Sequence, residues 1–228
     1  MLDNEVKYVL HFARHGAMAW VGHLDLMRTM ERLFRRADLP LVYSEGFNPR
    51  PCLYFALPLG VGVACVDDLL ELALSRPLPL AQTLAALQAQ SPQGLSISRI
   101  EPAENAAESL MARVYAARYD YQGKGISRLF TIMQREHPEI TVEKKNRRGV
   151  RHIPLFSLLL ETKTEEDDHL QILASAGQQD NLRPDFILEA LCQLFPEEIR
   201  QIRDCAITRR ELCLRPARPA LSGNVAKA

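Results

Sequence analysis

The 228 residues suffice for one medium domain or two small ones with a sizeable buried core. Hydrophobic residues make up 47% and charged residues 25%, a globular balance that argues against a disordered, collagen-like or disulfide-scaffold chain. Twenty-eight basic residues cancel 28 acidic ones, so any electrostatic partner must be recognised by a local patch.

Over residues 6–12, Val6, Tyr8, Leu10 and Phe12 alternate with Lys7, Val9 and His11, the period of a half-buried strand, and Gly16 ends it. Over 23–37 the period becomes helical. Leu24, Met27, Met30 and Phe34 share a face, which predicts an amphipathic helix stopping before Pro40, with Leu24, Met27 and Phe34 buried. Two extended pieces follow, 52–59 and 68–74, joined by a Gly-rich turn. The apolar stretch 52–66 is shorter than a membrane span and is interrupted by Pro58, Gly60 and Gly62, so no membrane partner is expected. Residues 80–90 return to helical spacing, and 95–100 alternate again, giving the order β-α-β-β-α-β.

The same order restarts after an acidic, Ala-rich link at 101–108. Residues 115–121 read as strand, 126–136 as helix before Pro138, 140–144 and 170–174 as strands, 184–194 as helix and 206–212 as a closing strand. The fold class expected is α+β, as two tandem ferredoxin-like βαββαβ units. The first unit spans 1–103 and the second 111–214, with their boundary between Glu101 and Ala112. The Pro- and Ala-rich tail 215–228 is expected to be disordered.

Five cysteines, Cys52, Cys65, Cys192, Cys205 and Cys213, are widely spaced without a Cys-x-x-Cys or a close Cys/His pair. A reducing cytoplasm fits this usage, and Asp3 and Glu5 are unlike a secretion signal. The chain lacks a three-cysteine cluster run, a P-loop and a dinucleotide fingerprint. No cofactor, iron–sulfur cluster or structural zinc is expected.

The most specific run is Gly22-His23-Leu24-Asp25-Leu26-Met27-Arg28, continuing through Arg35-Arg36-Ala37-Asp38-Leu39-Pro40 to Tyr43-Ser44-Glu45-Gly46-Phe47-Asn48-Pro49-Arg50-Pro51, with Pro58-Leu59-Gly60-Val61-Gly62 beyond it. It resembles the radical SAM-linked domain family of unknown function, whose members occur fused to or encoded beside radical SAM proteins. Gly22 stands where that family usually has Ser, and Arg50-Pro51-Cys52 where it has His-Pro-Lys. The resemblance implies a radical SAM protein as partner and carries no established activity.

Physically, His23 and Asp25 open the first predicted helix, where an acid near the N-terminus suits capping and the macrodipole. The same pair suits proton transfer or metal binding, but residues two apart do not face each other on a helix. Arg28, Arg32, Arg35 and Arg36 form a stripe able to meet phosphates, with Glu31 and Asp38 close enough to neutralise part of it. In the loop 43–51, Gly46 permits a tight turn, while Tyr43, Glu45, Phe47, Asn48 and Arg50 exceed what a turn needs and suggest a ligand-facing surface. Lys144, Lys145, Arg147, Arg148, Arg151 and His152 form the densest basic cluster, with Gly149 at a loop or hairpin tip and acidic Glu165 to Asp168 following.

Three functions compete. An RNA-binding module would present tRNA or rRNA to a radical SAM enzyme. A stand-alone RNA-modifying or RNA-cleaving enzyme would use His23, Asp25 or Glu45 in a cleft between the units. A purely protein-binding subunit would set its arginines against acidic residues of the partner.

Overall fold

The computed structural model describes residues 5–104, 108–146, 149–177 and 181–217. Strand β1 (Val6–Arg14) buries Tyr8, Leu10, Phe12 and Arg14 by alternation. A 3-10 turn over Gly16–Trp20 leads to helix α1 (His23–Arg36), then β2 (Leu53–Phe55), β3 (Val63–Leu74), α2 (Leu80–Gln90) and β4 (Leu95–Pro102). The short α3 (Leu110–Arg113), capped by the Ser109 hydroxyl accepting from the Ala112 N–H, precedes β5 (Val114–Gln122) and α4 (Ile126–Glu136). The chain continues through β6 (Thr141–Asn146), β7 (Gly149–Pro154), β8 (Leu159–Glu166), β9 (His169–Ser175), α5 (Asp185–Leu194), α6 (Ile199–Arg203) and β10 (Ala206–Leu214).

Eight strands form one mixed sheet in the order β4-β1-β3-β10-β5-β9-β8, with β2 on β3. Strand β3 makes this continuity possible because it is 12 residues long. Leu70 to Leu72, in its second half, pair with β2, while its first three residues, Val63 to Cys65, pair in parallel with Ile207 to Arg209 of β10. The other junctions of the sheet are antiparallel. One apolar core runs from Tyr8, Leu10 and Phe12 to Tyr119, Tyr121 and Phe130.

Three expectations need correction. The helix α1 buries Leu26, Met30, Leu33 and Phe34, whereas Leu24 is exposed and Met27 half-buried. Phe34 is buried as expected and Met30 lies on the expected face, but Leu26 and Leu33 complete the stripe in place of Leu24 and Met27. Second, residues 141–146 do not enter the main sheet. They pair with β7 in a separate two-stranded ribbon, and β8 takes the place beside β9. Strand β8 is an edge strand with one partner and a largely polar sequence, so it has little of the alternation that marks a half-buried strand. Third, the extended piece expected over 52–59 shortens to the three residues of β2.

Beneath the turn 57–63, two guanidiniums lie in the core. Arg14 donates to the carbonyls of Val63 (3.0 Å), Val21 (3.0 Å) and Gly60. Arg209 holds Asp68 through Nη2–Oδ1 (2.7 Å), Nη2–Oδ2 (2.5 Å) and Nε–Oδ1 (3.1 Å), and also donates to the Leu57 carbonyl. Burial opposes the charge of Arg209, but Asp68 and Tyr119 outweigh it and hold the guanidinium above its ordinary range. Of the expected tail, Arg215 is tied by backbone to Arg113, and residues 218–228 lie outside those described.

Candidate nucleic-acid interface

The ribbon formed by β6 and β7 is anchored at its base, where Val142 is buried, Ile153 packs on the core and the Leu155 N–H donates to the Ile140 carbonyl. Towards the tip, Lys144 stands opposite Arg151, Glu143 opposite His152, and Lys145 opposite Val150. Val150, Arg151 and His152 are exposed, and Lys144 is half-buried. Gly149 has φ +128°, a conformation that L side chains rarely adopt, with open space around it. Arg147 and Arg148 lie outside the described residues. The ribbon therefore combines a rigid apolar root with a cationic, solvent-facing end.

The loop after α1 is closed by three rungs. Val42 and Cys52 share a backbone bond, Tyr43 bridges Pro51, and the Ser44 N–H donates to the Arg50 carbonyl while the Arg50 N–H donates to the Ser44 hydroxyl. Gly46 turns the tip with φ +116°. Every residue from Tyr43 to Arg50 is exposed, and the Phe47 ring is entirely in solvent, so it does not anchor the loop to the core. Tyr43, Glu45, Phe47, Asn48 and Arg50 are thus presented together on a closed loop.

On α1, Asp25 makes no cap hydrogen bond, and the cap residue is Gly22. Its carboxylate instead takes an ion pair from Arg28 at 2.8 Å, and the Arg32 Nε donates to the Arg28 carbonyl at 3.2 Å. Both arginines remain outside the core, as the helical period predicts. His23 turns the other way. Its ring meets Phe55 edge-on at 5.3 Å, and Nδ1 is buried without a hydrogen-bond partner. Burial, with the charge of Arg14, lowers its pKa from the ordinary value. Among the described residues no hydrogen bond joins His23 to Asp25, so this pair is not an assembled proton relay.

Sequence reasoning missed a polar knot built from three strands. The buried ring of His11 in β1 has Nδ1 at 2.9 Å from Asp67, and Nε2 at 2.8 Å from Arg99 and 3.3 Å from Glu101. A lone His between Leu10 and Phe12 carries no sign of this, because the partners arrive from β3 and β4. Arg14, Asp68 and Arg209 were missed likewise, although Arg14 continues the inward parity of Tyr8, Leu10 and Phe12.

A family model described as "Uncharacterized protein conserved in bacteria (DUF2344)" matches residues 7–184. The chain belongs to this family. The DUF2344 match includes α1, the loop 43–51, the ribbon, Arg14 and Asp68, and stops before α5 and β10, so Arg209 lies beyond it. No curated protein matches the chain. Among solved structures, the chain is similar to the crystal structure of a protein proposed as a glycine cleavage system transcriptional repressor, at 12% identity and a TM-score of 0.24, covering 92% of this chain and 99% of that one. Among the described residues, no helix is long and apolar enough to cross a membrane, and no group of three or more His, Cys, Asp or Glu is arranged to hold a metal ion.

Proposed function

We propose that this chain is an RNA-binding accessory module that works with a radical SAM enzyme and presents a tRNA or rRNA for modification in the cytoplasm. The observation that carries the reading is the ribbon, where Lys144 and Arg151 pair across two strands that stand apart from the main sheet. Cations on a projecting ribbon can follow a phosphate backbone, while Phe47 and Asn48 on the loop 43–51 offer stacking and an amide for unstacked bases. The resemblance of Gly22 to Pro51 to the radical SAM-linked domain supports the partner. Two ferredoxin-like units, 1–103 and 111–214, complete the reading. Its support is strand order, since β4-β1-β3-β2 and β10-β5-β9-β8 repeat one arrangement of first, second, third and fourth strands.

RNA binding measured over a salt series tests the proposal. Replacing Lys144 and Arg151 with Gln should weaken binding to many RNA sequences and flatten the log–log salt slope by about 0.7–0.9 per lost phosphate contact. Phe47→Ala or Asn48→Ala should reduce discrimination between RNAs and leave the slope nearly unchanged. Equal, salt-insensitive binding by all variants would defeat the RNA reading. Copurification without a radical SAM protein would remove the partner from it.

A further inference from the structure

A cleft of about 610 Å³ opens between the turn 57–63 and the segment 181–188, a volume within the range of small-molecule sites. Tyr119 of β5, Cys205 just before β10 and Ile207 within it contribute to the lining, and Trp20 and Arg203 line it as well. Three features give it a chemical preference.

The first is Trp20. Its indole is 71% exposed yet held in place, because it rests on Gly62, where an added Cβ would approach the ring to 3.3 Å. The Gly62 N–H donates to the Ala19 carbonyl and fixes the contact. An indole supported on one side and open on the other is a stacking platform for a flat heterocycle.

The second is buried charge. Asp68 is bonded by Arg209 and is the carboxylate whose charge Arg14 also feels, and all three are at most 2% exposed. Arg14 is satisfied only by carbonyls, two of them, Gly60 and Val63, from the turn that walls the cleft. The low-dielectric wall therefore carries excess positive charge, whose field reaches the cleft poorly screened.

The third is the cleft's own cations. Arg183 is already matched by an ion pair to Asp185 and lies 4.8 Å over the Phe186 ring. Arg203 is exposed and has no carboxylate partner among the described residues, and its guanidinium lies against the Cys192 thiol. Another cavity, about 330 Å³ beside His11, lacks this imbalance, since Arg99 pairs with Glu101 and Arg113 with Glu104.

We propose that this cleft binds a nucleotide, free or within an RNA strand, with its base on Trp20 and its phosphate at Arg203. The ligand class rests on the RNA reading above, but the residues are separate from the ribbon and the loop.

Trp20 is the chain's single tryptophan, so its fluorescence reports on this site alone. The full chain is titrated with AMP, with adenosine, with inorganic phosphate and with a single-stranded RNA, beside free N-acetyltryptophanamide with AMP. AMP should quench Trp20 saturably, adenosine should bind about tenfold more weakly, and Arg203→Gln should raise the AMP Kd about tenfold with an unchanged melting profile. Trp20→Phe, followed by calorimetry, should weaken AMP binding without removing the phosphate contribution. Quenching by AMP that is linear, like that of the free indole, or unchanged in Arg203→Gln would overturn the site. RNA binding without saturable AMP quenching overturns the cleft and leaves the RNA reading standing. Saturable AMP quenching without RNA binding supports the cleft as a site for a free nucleotide and defeats the RNA reading.

Discussion

Arg209 and Asp68 are 141 positions apart in sequence and form a buried ion pair held by three contacts. Arg209 lies opposite Cys65 at the parallel junction of β10 with β3, and its guanidinium reaches along β3 to Asp68. The last strand of the chain is thereby locked to the first half of the sheet. A Coulombic contact in a low-dielectric interior is strong only because each partner is present, and neither can be solvated if the other is lost.

Asp68→Ala should therefore destabilise the chain by about 3–5 kcal/mol, because it leaves a second guanidinium beside Arg14 without a counter-charge. Replacing Asp68 and Arg209 together with apolar residues of similar volume should recover much of that loss. Urea unfolding midpoints of the two single variants and the double variant measure the coupling.

The face of α1 gives a second test. Met30 is fully buried and Leu24 is 64% exposed. Met30→Ala should cost about 2–5 kcal/mol, and Leu24→Ala no more than about 0.5 kcal/mol. A loss at Leu24 comparable to that at Met30, in thermal or chemical unfolding, would place Leu24 in the core.

The cysteines should separate by reactivity. Burial pushes the thiols of Cys65 and Cys205 up to about 12. Alkylation at pH 8 followed by mass spectrometry should leave these two unmodified in the folded chain, while the half-buried Cys52, Cys192 and Cys213 react. All five should react once the chain is unfolded.

His23 couples folding to acid. Its pKa is lowered in the folded state, first by burial and then by Arg14, so below its ordinary value of 6.5 the unfolded chain binds the proton more readily. Stability should be unaffected by this group at neutral pH and fall as the pH drops through about 6.5 and below. His23→Gln should flatten that part of the stability–pH curve, and an unchanged curve would remove the coupling.

Local periodicity made much of the fold legible. Helices α2 and α4 begin and end where their spacing and flanking residues predict, since a helix satisfies its own backbone and declares its buried face within a few turns. Gly149 and the charges around it marked a hairpin tip, and the run 43–51 marked an exposed loop, because turn chemistry is also local. The placement of β6 and β8 was not legible. A strand's partner is set by register and burial across the whole sheet, and an edge strand such as β8 buries too little to announce itself.

The candidate surfaces divide in the same way. Tyr43, Phe47 and Arg50 stand out because their types exceed the needs of a turn, and the structure leaves them exposed. Trp20 gives no such sign, since its role depends on Gly62 beneath it and on a wall supplied by residues more than 150 positions away. Sequence by itself determined the helices α1, α2, α4 and α5, the basic hairpin and the exposed loop, each through interactions spanning a few residues. Only the tertiary structure decided that Arg14, Asp68 and Arg209 meet in the core and that a cleft opens above them, because those arrangements depend on strands joined across the full length of the chain.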